Sequence, residues 1–417
     1  MIRAISIVIT AMFCTTLLSG CWSRIELNEL GIVLAVALDK DAATGEIIMT
    51  SQFVRPEALK AEGGATQKDP VEFITTRGAT VSEAVRNISK EFDRKPFYSH
   101  NKILVIDEQL AREGVLPILD FWKRFAEIRP VLSVVIAKGV PAREIIGERN
   151  GVEGIQAIYL DSMIKRQDIH SESNTSNLLD FLKALGSNEI NPVTGAMEIV
   201  DTPPVSSEEK KVATYKGIKL AGTAVFKKDK LVGFLDGRET RGLNWITGKV
   251  KNGIIQVPSP GETDKLAAIE IKSANSTVKA KLLNGKYVFA IQVKEVGDLI
   301  EQQSLTNVSK LPNLEELNLA QKKVIESEIA DVIAKAQQEY ASDILGFGNA
   351  LHIAYPDEWE KVKDDWAYLF PSAEYTVTVK TEIRRTGLLQ KAVIEKERPE
   401  PEMKNRSRPY DMLKPEE

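Results

Sequence analysis

The chemistry that stands out in this chain is that of a cysteine near its N-terminus. Cys21 ends the sequence Leu18-Ser19-Gly20-Cys21. Small residues before a cysteine let an extended chain enter a peptidase cleft, and the cysteine sulfur can be thioether-linked to diacylglycerol. The four residues match the bacterial lipoprotein cleavage motif. We therefore predict cleavage between Gly20 and Cys21, with an S-diacylglycerol and an N-acyl group on Cys21 as a stable membrane anchor.

The residues before Cys21 have the composition of an export signal. Arg3 gives a positive start, and residues 4–18 carry no charge. A charged start, an apolar middle and a small-residue exit are typical of secretory signals, so residues 1–20 are predicted to be a signal peptide. The second cysteine, Cys14, lies inside it. The processed chain is therefore expected to contain no disulfide, no thiolate metal cluster and no catalytic cysteine.

The histidines do not form a recognisable site. His100, His170 and His352 are far apart, and none has a second metal ligand at helical or turn spacing. Ser99 precedes His100, but no nucleophile elbow or oxyanion loop surrounds the pair. We predict structural roles for all three histidines, and neither a catalytic nor a metal site.

Cofactor and nucleic-acid binding are also not indicated. The segment from Gly242 to Lys249 resembles a phosphate loop, but its spacing is one residue too long, and Val250 replaces the Ser or Thr that would hold magnesium. The formal net charge of −4 argues against a nucleic-acid partner. The sequence thus predicts a protein that is not an enzyme and has no cofactor.

Hydrophobic patterning predicts an α+β fold built of successive mixed α/β domains, with sheets packed against helices. Residues 31–38 form an apolar run typical of a strand buried on both faces. Thr80-Val81-Ser82-Glu83 is a capping box that predicts the start of a helix. Helical and strand patterns alternate from there to residue 185, which favours a mixed sheet covered by helices.

Breaks in composition predict the domain boundaries. Residues 201–209 are rich in Pro, Ser and Glu, and residues 258–261 form a second break. From residue 395 the chain is rich in charge and proline, which is typical of disorder. The predicted organisation is a lipid-anchored N-terminal α/β domain (21–200), a linker (201–213), a small central α/β domain (214–262), a C-terminal α/β domain with a long helix (263–394) and a disordered tail (395–417).

Several blocks resemble the Ger(x)C family, the lipoprotein C subunits of spore germinant receptors. They are Gly20-Cys21-Trp22-Ser23-Arg24-Ile25-Glu26-Leu27-Asn28-Glu29-Leu30-Gly31-Ile32, residues 99–106, residues 119–130, and residues 221–226 with 231–235. The similarity extends from the signal to about Tyr375. Ser23 is a departure, because many members carry Asp there, but the flanking block is intact.

The resemblance implies a non-enzymatic subunit that assembles with an integral-membrane A subunit and a transporter-like B subunit. It implies a location on the extracytoplasmic face of the cell membrane, in the inner membrane of the spore. It also implies that the complex triggers germination in response to small nutrients, with the germinant bound by the complex rather than by this subunit.

Two other functions are weighed against this one. A solute-binding lipoprotein of a transporter would need two similar lobes around a polar pocket, and the two halves of this chain differ in the order of their elements. An exported hydrolase would need metal or acyl-transfer residues, and the sequence shows no such pattern.

Overall fold

The structure is a computed structural model that describes residues 3–6, 26–55, 69–148, 153–202, 215–283, 285–308 and 310–385. Within these residues it confirms a mixed α/β fold, with a nine-stranded and a four-stranded sheet accompanied by helices. The strands are β1 Leu30–Lys40, β2 Ile47–Val54, β3 Val71–Gly78, β4 Lys95–Phe97, β5 Ile103–Asp107, β6 Ser133–Ala137, β7 Val193–Thr202, β8 Tyr215–Lys227, β9 Lys230–Leu235, β10 Ile254–Ser259, β11 Glu262–Leu283, β12 Lys286–Gln302 and β13 Glu374–Arg385. The α-helices are α1 Val81–Asn87, α2 Glu108–Glu113, α3 Leu116–Arg124, α4 Ala142–Gly147, α5 Gln156–Lys165, α6 Leu178–Leu185, α7 Gly237–Thr247, α8 Leu311–Ala334, α9 Phe347–Ala354, α10 Pro356–Val362 and α11 Trp366–Leu369.

The nine-stranded sheet has a parallel centre with antiparallel margins. Its strand order is β3-β2-β1-β5-β6-β7-β8-β9, and the short β4 lies beside β1. Strands β1, β5, β6 and β7 are parallel, whereas β2 and β8 run against their neighbours β1 and β7. Strand β1 is buried almost throughout, which confirms the interpretation of its apolar run.

This sheet has a hydrophobic core on each face. Successive side chains of a strand point to opposite faces. Accordingly Leu104 and Ile106 of β5 belong to one core, whereas Ile103 and Val105 belong to the other. Helices α1, α2, α3 and α6 contribute to the first core, and α4 and α5 to the second. The central strands are therefore fixed from both sides.

Local capping begins α1 where the sequence predicts it. The Thr80 hydroxyl accepts a hydrogen bond from the Glu83 amide at 3.2 Å. The Glu83 carboxylate in turn accepts one from the Ala79 amide at 2.9 Å. The apolar spacing of residues 115–128 predicts one helix, but α3 is shorter, because the backbone becomes extended at Phe125, whose ring packs edge-on against Tyr98.

The first sheet continues across the segment predicted as a linker. Strand β8 pairs with β7, with Thr202 opposite Tyr215, and β9 pairs with β8. Residues 203–213 of the predicted linker lie outside the described residues, but the strands on either side belong to one sheet. The predicted separate domain of residues 214–262 is therefore wrong: β8 and β9 complete the nine-stranded sheet, and β10 belongs to the other. Composition indicates a break in packing, and it carries no information on whether the flanking strands pair.

The four-stranded sheet has the order β10-β11-β12-β13. Residues 266–272 and 277–283 are predicted as two strands, but both belong to the single 22-residue strand β11. Contact density divides the chain into two compact units, one of residues 1–253, 274–294 and 325–379, and the other of residues 254–273, 295–324 and 380–417. The second unit buries Ile255, Ile269 and Leu317 completely.

No helix among the described residues is long and apolar enough to cross a lipid bilayer.

Candidate functional site

The predicted lipidation site lies just before the folded body. Gly20 and Cys21 are outside the described residues, so their processing stays a prediction. Glu26, the first described residue of the body, follows Cys21 by five positions, and a short 3-10 turn, Leu27–Glu29, leads directly into β1. A lipid on Cys21 would thus be joined by a short segment to a central strand.

At the carboxyl ends of the parallel strands, Asp and Glu side chains of the chain itself bind the nearby backbone amides. Ligands commonly bind at this edge of open α/β sheets. Here the two Asp39 carboxylate oxygens, at the end of β1, accept hydrogen bonds from the Ala142 and Arg143 amides at 2.6 and 3.2 Å. Burial raises the pKa of Asp39, and the two amides and the Arg143 charge oppose that rise. The N-terminal amides of α4 are thereby engaged within the chain.

The end of β5 is arranged in the same way. The Asp107 carboxylate accepts hydrogen bonds from the Gln109 and Leu110 amides at 2.9 and 3.1 Å and so caps α2. Burial raises the pKa of Asp107 as well. The neighbouring Glu108 carboxylate accepts the Gly139 amide, in the loop after β6, at 3.0 Å. Carboxylates of the protein thus hold the loops at this edge.

The three histidines lie in separate surroundings. His352 Nδ1 is 2.6 Å from a carboxylate oxygen of Glu189, and its ring stacks on Trp359. His170 Nδ1 accepts a hydrogen bond from the Glu172 amide at 3.0 Å. His100 contacts the ring of Phe97 edge-on. Within the described part of the chain, no three His, Cys, Asp or Glu side chains are grouped so as to hold a metal ion.

The segment that resembles a phosphate loop is a packing helix. Residues 237–247 form α7, and Gly248 ends it in the left-handed conformation with φ of 70°. A Cβ at Gly242 would lie 2.1 Å from the Glu328 carbonyl oxygen of α8. Glycine at position 242 therefore permits the close approach of two helices, and this explains the glycine spacing.

A buried ionic cluster reinforces that approach. Arg241 Nε donates to the Glu328 carboxylate at 3.0 Å, a second guanidinium nitrogen also contacts Glu328, and Trp245 Nε1 donates to the same carboxylate at 2.9 Å. A third Arg241 nitrogen lies 3.1 Å from Glu172. The Glu328 side chain is 1% exposed, so these donors replace the water contacts that burial removes. Sequence reasoning missed this cluster, since residues 87 positions apart leave no local signal.

A second buried carboxylate, Asp343, was also missed. It accepts hydrogen bonds from the amides of Leu345, Phe347 and Gly348 and from Trp366 Nε1, the last at 2.9 Å. Burial raises the pKa of Asp343, against the effect of these donors. The carboxylate fixes the loop before α9 and is a structural feature of the first unit.

A cleft beside the nine-stranded sheet is lined by charges of both signs. It has a volume of about 820 Å³ and lies beside β7, β8 and the start of α7. Glu198 lies between two lysines there, with Lys138 Nζ at 3.9 Å and Lys219 Nζ at 4.0 Å. Lys138 also lies over the ring of Phe234. The charged walls could hold a small polar molecule.

Two family models match consecutive parts of the chain. Residues 23–199 match the spore germination protein N-terminal domain, and residues 221–387 match the C-terminal domain described as spore germination B3/GerAC like. The fold and these two matches define a spore germination protein. With its cysteine-tryptophan block and the family blocks that follow it, the chain belongs to the Ger(x)C family.

Known relatives align over nearly their full lengths. Spore germination protein KC of Bacillus subtilis (strain 168) is 27% identical over 399 residues, which cover 93% of this chain and 97% of that protein. Spore germination protein B3 of the same organism is 27% identical over 380 residues, with 90% and 96% covered. The crystal structure of the GerBC protein superimposes with a TM-score of 0.50 at 22% identity, covering 84% of this chain and 96% of that one, and so supports the fold.

Proposed function

We propose that this chain is the lipoprotein C subunit of a spore germinant receptor. It acts with integral-membrane A and B subunits to trigger germination in response to small nutrients, and it has no catalytic activity of its own. The observation that carries the proposal is the match of both halves of the chain, in order, to spore germination domains, together with relatives aligned over nine-tenths of its length.

The physical arrangement supports a coupling or scaffolding role. A lipid on Cys21 would confine the body to the extracytoplasmic face of the spore inner membrane. Tethered partners meet at a high effective concentration, so modest contacts are sufficient for assembly. The carboxylates at the carboxyl ends of the parallel strands bind amides of the chain itself, which is an arrangement suited to holding a rigid shape.

The anchor is tested by Cys21→Ala in the producing cell, with Cys14→Ala as a matched control inside the signal. We expect Cys21→Ala to lose the acylated form in intact-mass spectrometry and to slow germination, because the receptor no longer assembles. Cys14→Ala should leave both unchanged. Normal acylated mass or normal germination in the Cys21→Ala strain would contradict the proposal.

The alternative of a solute-binding lipoprotein has one observation in its favour, the charged cleft beside β7 and β8. Such proteins need two similar lobes, and the two sheets of the described residues differ in size and strand direction. Calorimetric titration of the full chain with single amino acids distinguishes the two: a saturating signal abolished by Glu198→Gln would favour the alternative.

A further inference from the structure

The position of the anchor on the sheet determines which side of the first unit lies nearest the bilayer. The parallel strands β1, β5, β6 and β7 all begin at one edge of the nine-stranded sheet, here called the starting edge. Cys21 precedes Glu26 by five positions, so the two are at most about 18 Å apart. Strand β1 has 11 residues and is about 36 Å long. The tether is thus shorter than the strand, and the starting edge stays close to the membrane.

The loop before β6 exposes apolar and basic residues at this edge. Arg129 and Pro130 are exposed, and Val131 is 70% exposed. Helix α6 begins beside this loop, because the Leu179 amide donates to the Pro130 carbonyl at 2.9 Å. The Leu179 side chain is itself 42% exposed. Val131 and Leu179 are therefore two exposed, branched apolar side chains on backbone segments that are hydrogen-bonded to each other at Pro130.

A shallow groove with an apolar floor adjoins this loop. It has a volume of about 400 Å³ and lies between α3 and α6, with Trp122, Ile128 and Leu182 among its lining residues. Lys123 and Lys183 also line it. Lys183 lies 3.6 Å from Asp180.

Two cations of this surface stand outside its ion pairs, whereas Arg124 pairs with Asp120 and Lys183 with Asp180. Lys123 and Arg129 are both exposed and form no ion pair within the described part of the chain. We define the starting-edge patch as Lys123, Arg129, Pro130, Val131 and Leu179. Exposed apolar side chains framed by unpaired cations are the complement of a bilayer surface, where anionic headgroups attract Lys and Arg and the interface accepts apolar groups.

We propose that the starting-edge patch lies on the anionic lipid headgroups of the membrane and orients the subunit there. This inference rests on the proposed acylation of Cys21. Binding of the patch to lipid need only be weak, since the short tether already holds the body at the surface and supplies a high effective concentration. The patch would set which surfaces of the first unit face away from the bilayer and remain available to partners.

The test uses the acylated full chain with one added thiol. Cys21 is acylated at its sulfur and Cys14 is removed with the signal, so Val131→Cys supplies the single reactive thiol for a fluorescent label. The matched control is Ala42→Cys, an exposed position in the turn between β1 and β2 at the opposite edge. Both proteins are placed in vesicles of phosphatidylcholine and phosphatidylglycerol that contain a nitroxide-labelled lipid.

We expect severalfold stronger quenching at position 131 than at position 42. The difference should shrink in vesicles of phosphatidylcholine alone and on adding Lys123→Glu and Arg129→Glu to the Val131→Cys protein. Equal quenching at the two positions, or insensitivity to both lipid charge and the substitutions, would overturn the proposal.

Flotation of the same samples separates this inference from the proposed function. If the protein floats with the vesicles but position 131 is not quenched, the anchor holds and the docking surface is wrong. If the protein does not float, the acylation itself fails. Shielding of position 131 that appears only in native membranes and not in lipid vesicles would assign the patch to a protein partner and overturn its assignment to lipid.

Discussion

The carboxyl edge and the starting edge of the nine-stranded sheet differ in whether their charged groups are paired within the chain. At the carboxyl edge, Asp39 and Asp107 accept amide hydrogen bonds from α4 and α2, so charge and donors are matched inside the chain. At the starting edge, Arg129 is exposed without an ion pair in the described residues, and Val131 faces solvent. The contrast indicates that the carboxyl edge maintains the fold, whereas the starting edge is free to contact another molecule or surface.

Removing the Asp39 carboxylate should produce the largest loss of stability. Asp39→Ala leaves the buried Ala142 amide and the Arg143 amide without their acceptor, and each lost acceptor costs about 1–3 kcal/mol. We expect the free energy of unfolding to fall by about 3 kcal/mol, measured from urea unfolding followed by tryptophan fluorescence.

The matched control for this change is Asp39→Asn, which keeps one acceptor oxygen and should lose clearly less stability. Equal losses for the two variants would show that the amide hydrogen bonds do not matter, and would weaken the contrast between the edges.

Glu295 is a buried carboxyl group that, unlike Asp39 and Asp107, caps no helix, and it sharpens the comparison. Glu295 of β12 accepts one hydrogen bond, from Gln321 Nε2 at 2.6 Å, and its other oxygen has no partner. Burial raises the pKa of Glu295 to about 8. Because the folded pKa exceeds the unfolded value, the contribution of Glu295 to stability is present at low pH and is lost as the pH rises from about 4.5 to about 8.

Glu295→Gln removes this titration and keeps an acceptor for Gln321. The variant should therefore exceed the original chain in unfolding free energy at pH 9 by on the order of 5 kcal/mol, with little gain at pH 4. Urea unfolding at both pH values measures it. Parallel pH profiles for the two proteins would mean that Glu295 is ionised in the folded state at neutral pH.

Substitution at the starting edge should have the smallest effect on stability. Val131→Ser changes a side chain that is 70% exposed, so the unfolding free energy should move by no more than about 0.5 kcal/mol. Thermal unfolding by circular dichroism checks this. A loss as large as that of Asp39→Ala would show that Val131 is part of the core, and the two edges would no longer differ.

The sequence alone determined the features whose information is local. The cleavage motif ending at Cys21 predicts an anchor without any knowledge of the fold. The apolar run at the start of the body predicted β1, and the Thr80 capping box predicted the first residue of α1. Helical patterning that extends to residue 185 likewise matches α6, Leu178–Leu185. Each of these depends on neighbours within a few positions, where hydrogen-bonding and hydrophobic periodicity act directly.

Tertiary structure decided the features that join distant parts of the chain. The proline-rich composition after residue 201 indicated a boundary, yet β7 and β8 pair on either side of it. The sequence argued against a phosphate loop at Gly242 but gave no reason for the glycine, which is the Glu328 carbonyl that lies against it. The acceptors that Arg241 and Trp245 need lie more than 80 residues further along the chain. Pairing and burial of this kind depend on which surfaces meet after folding, and no local pattern of residue types records that.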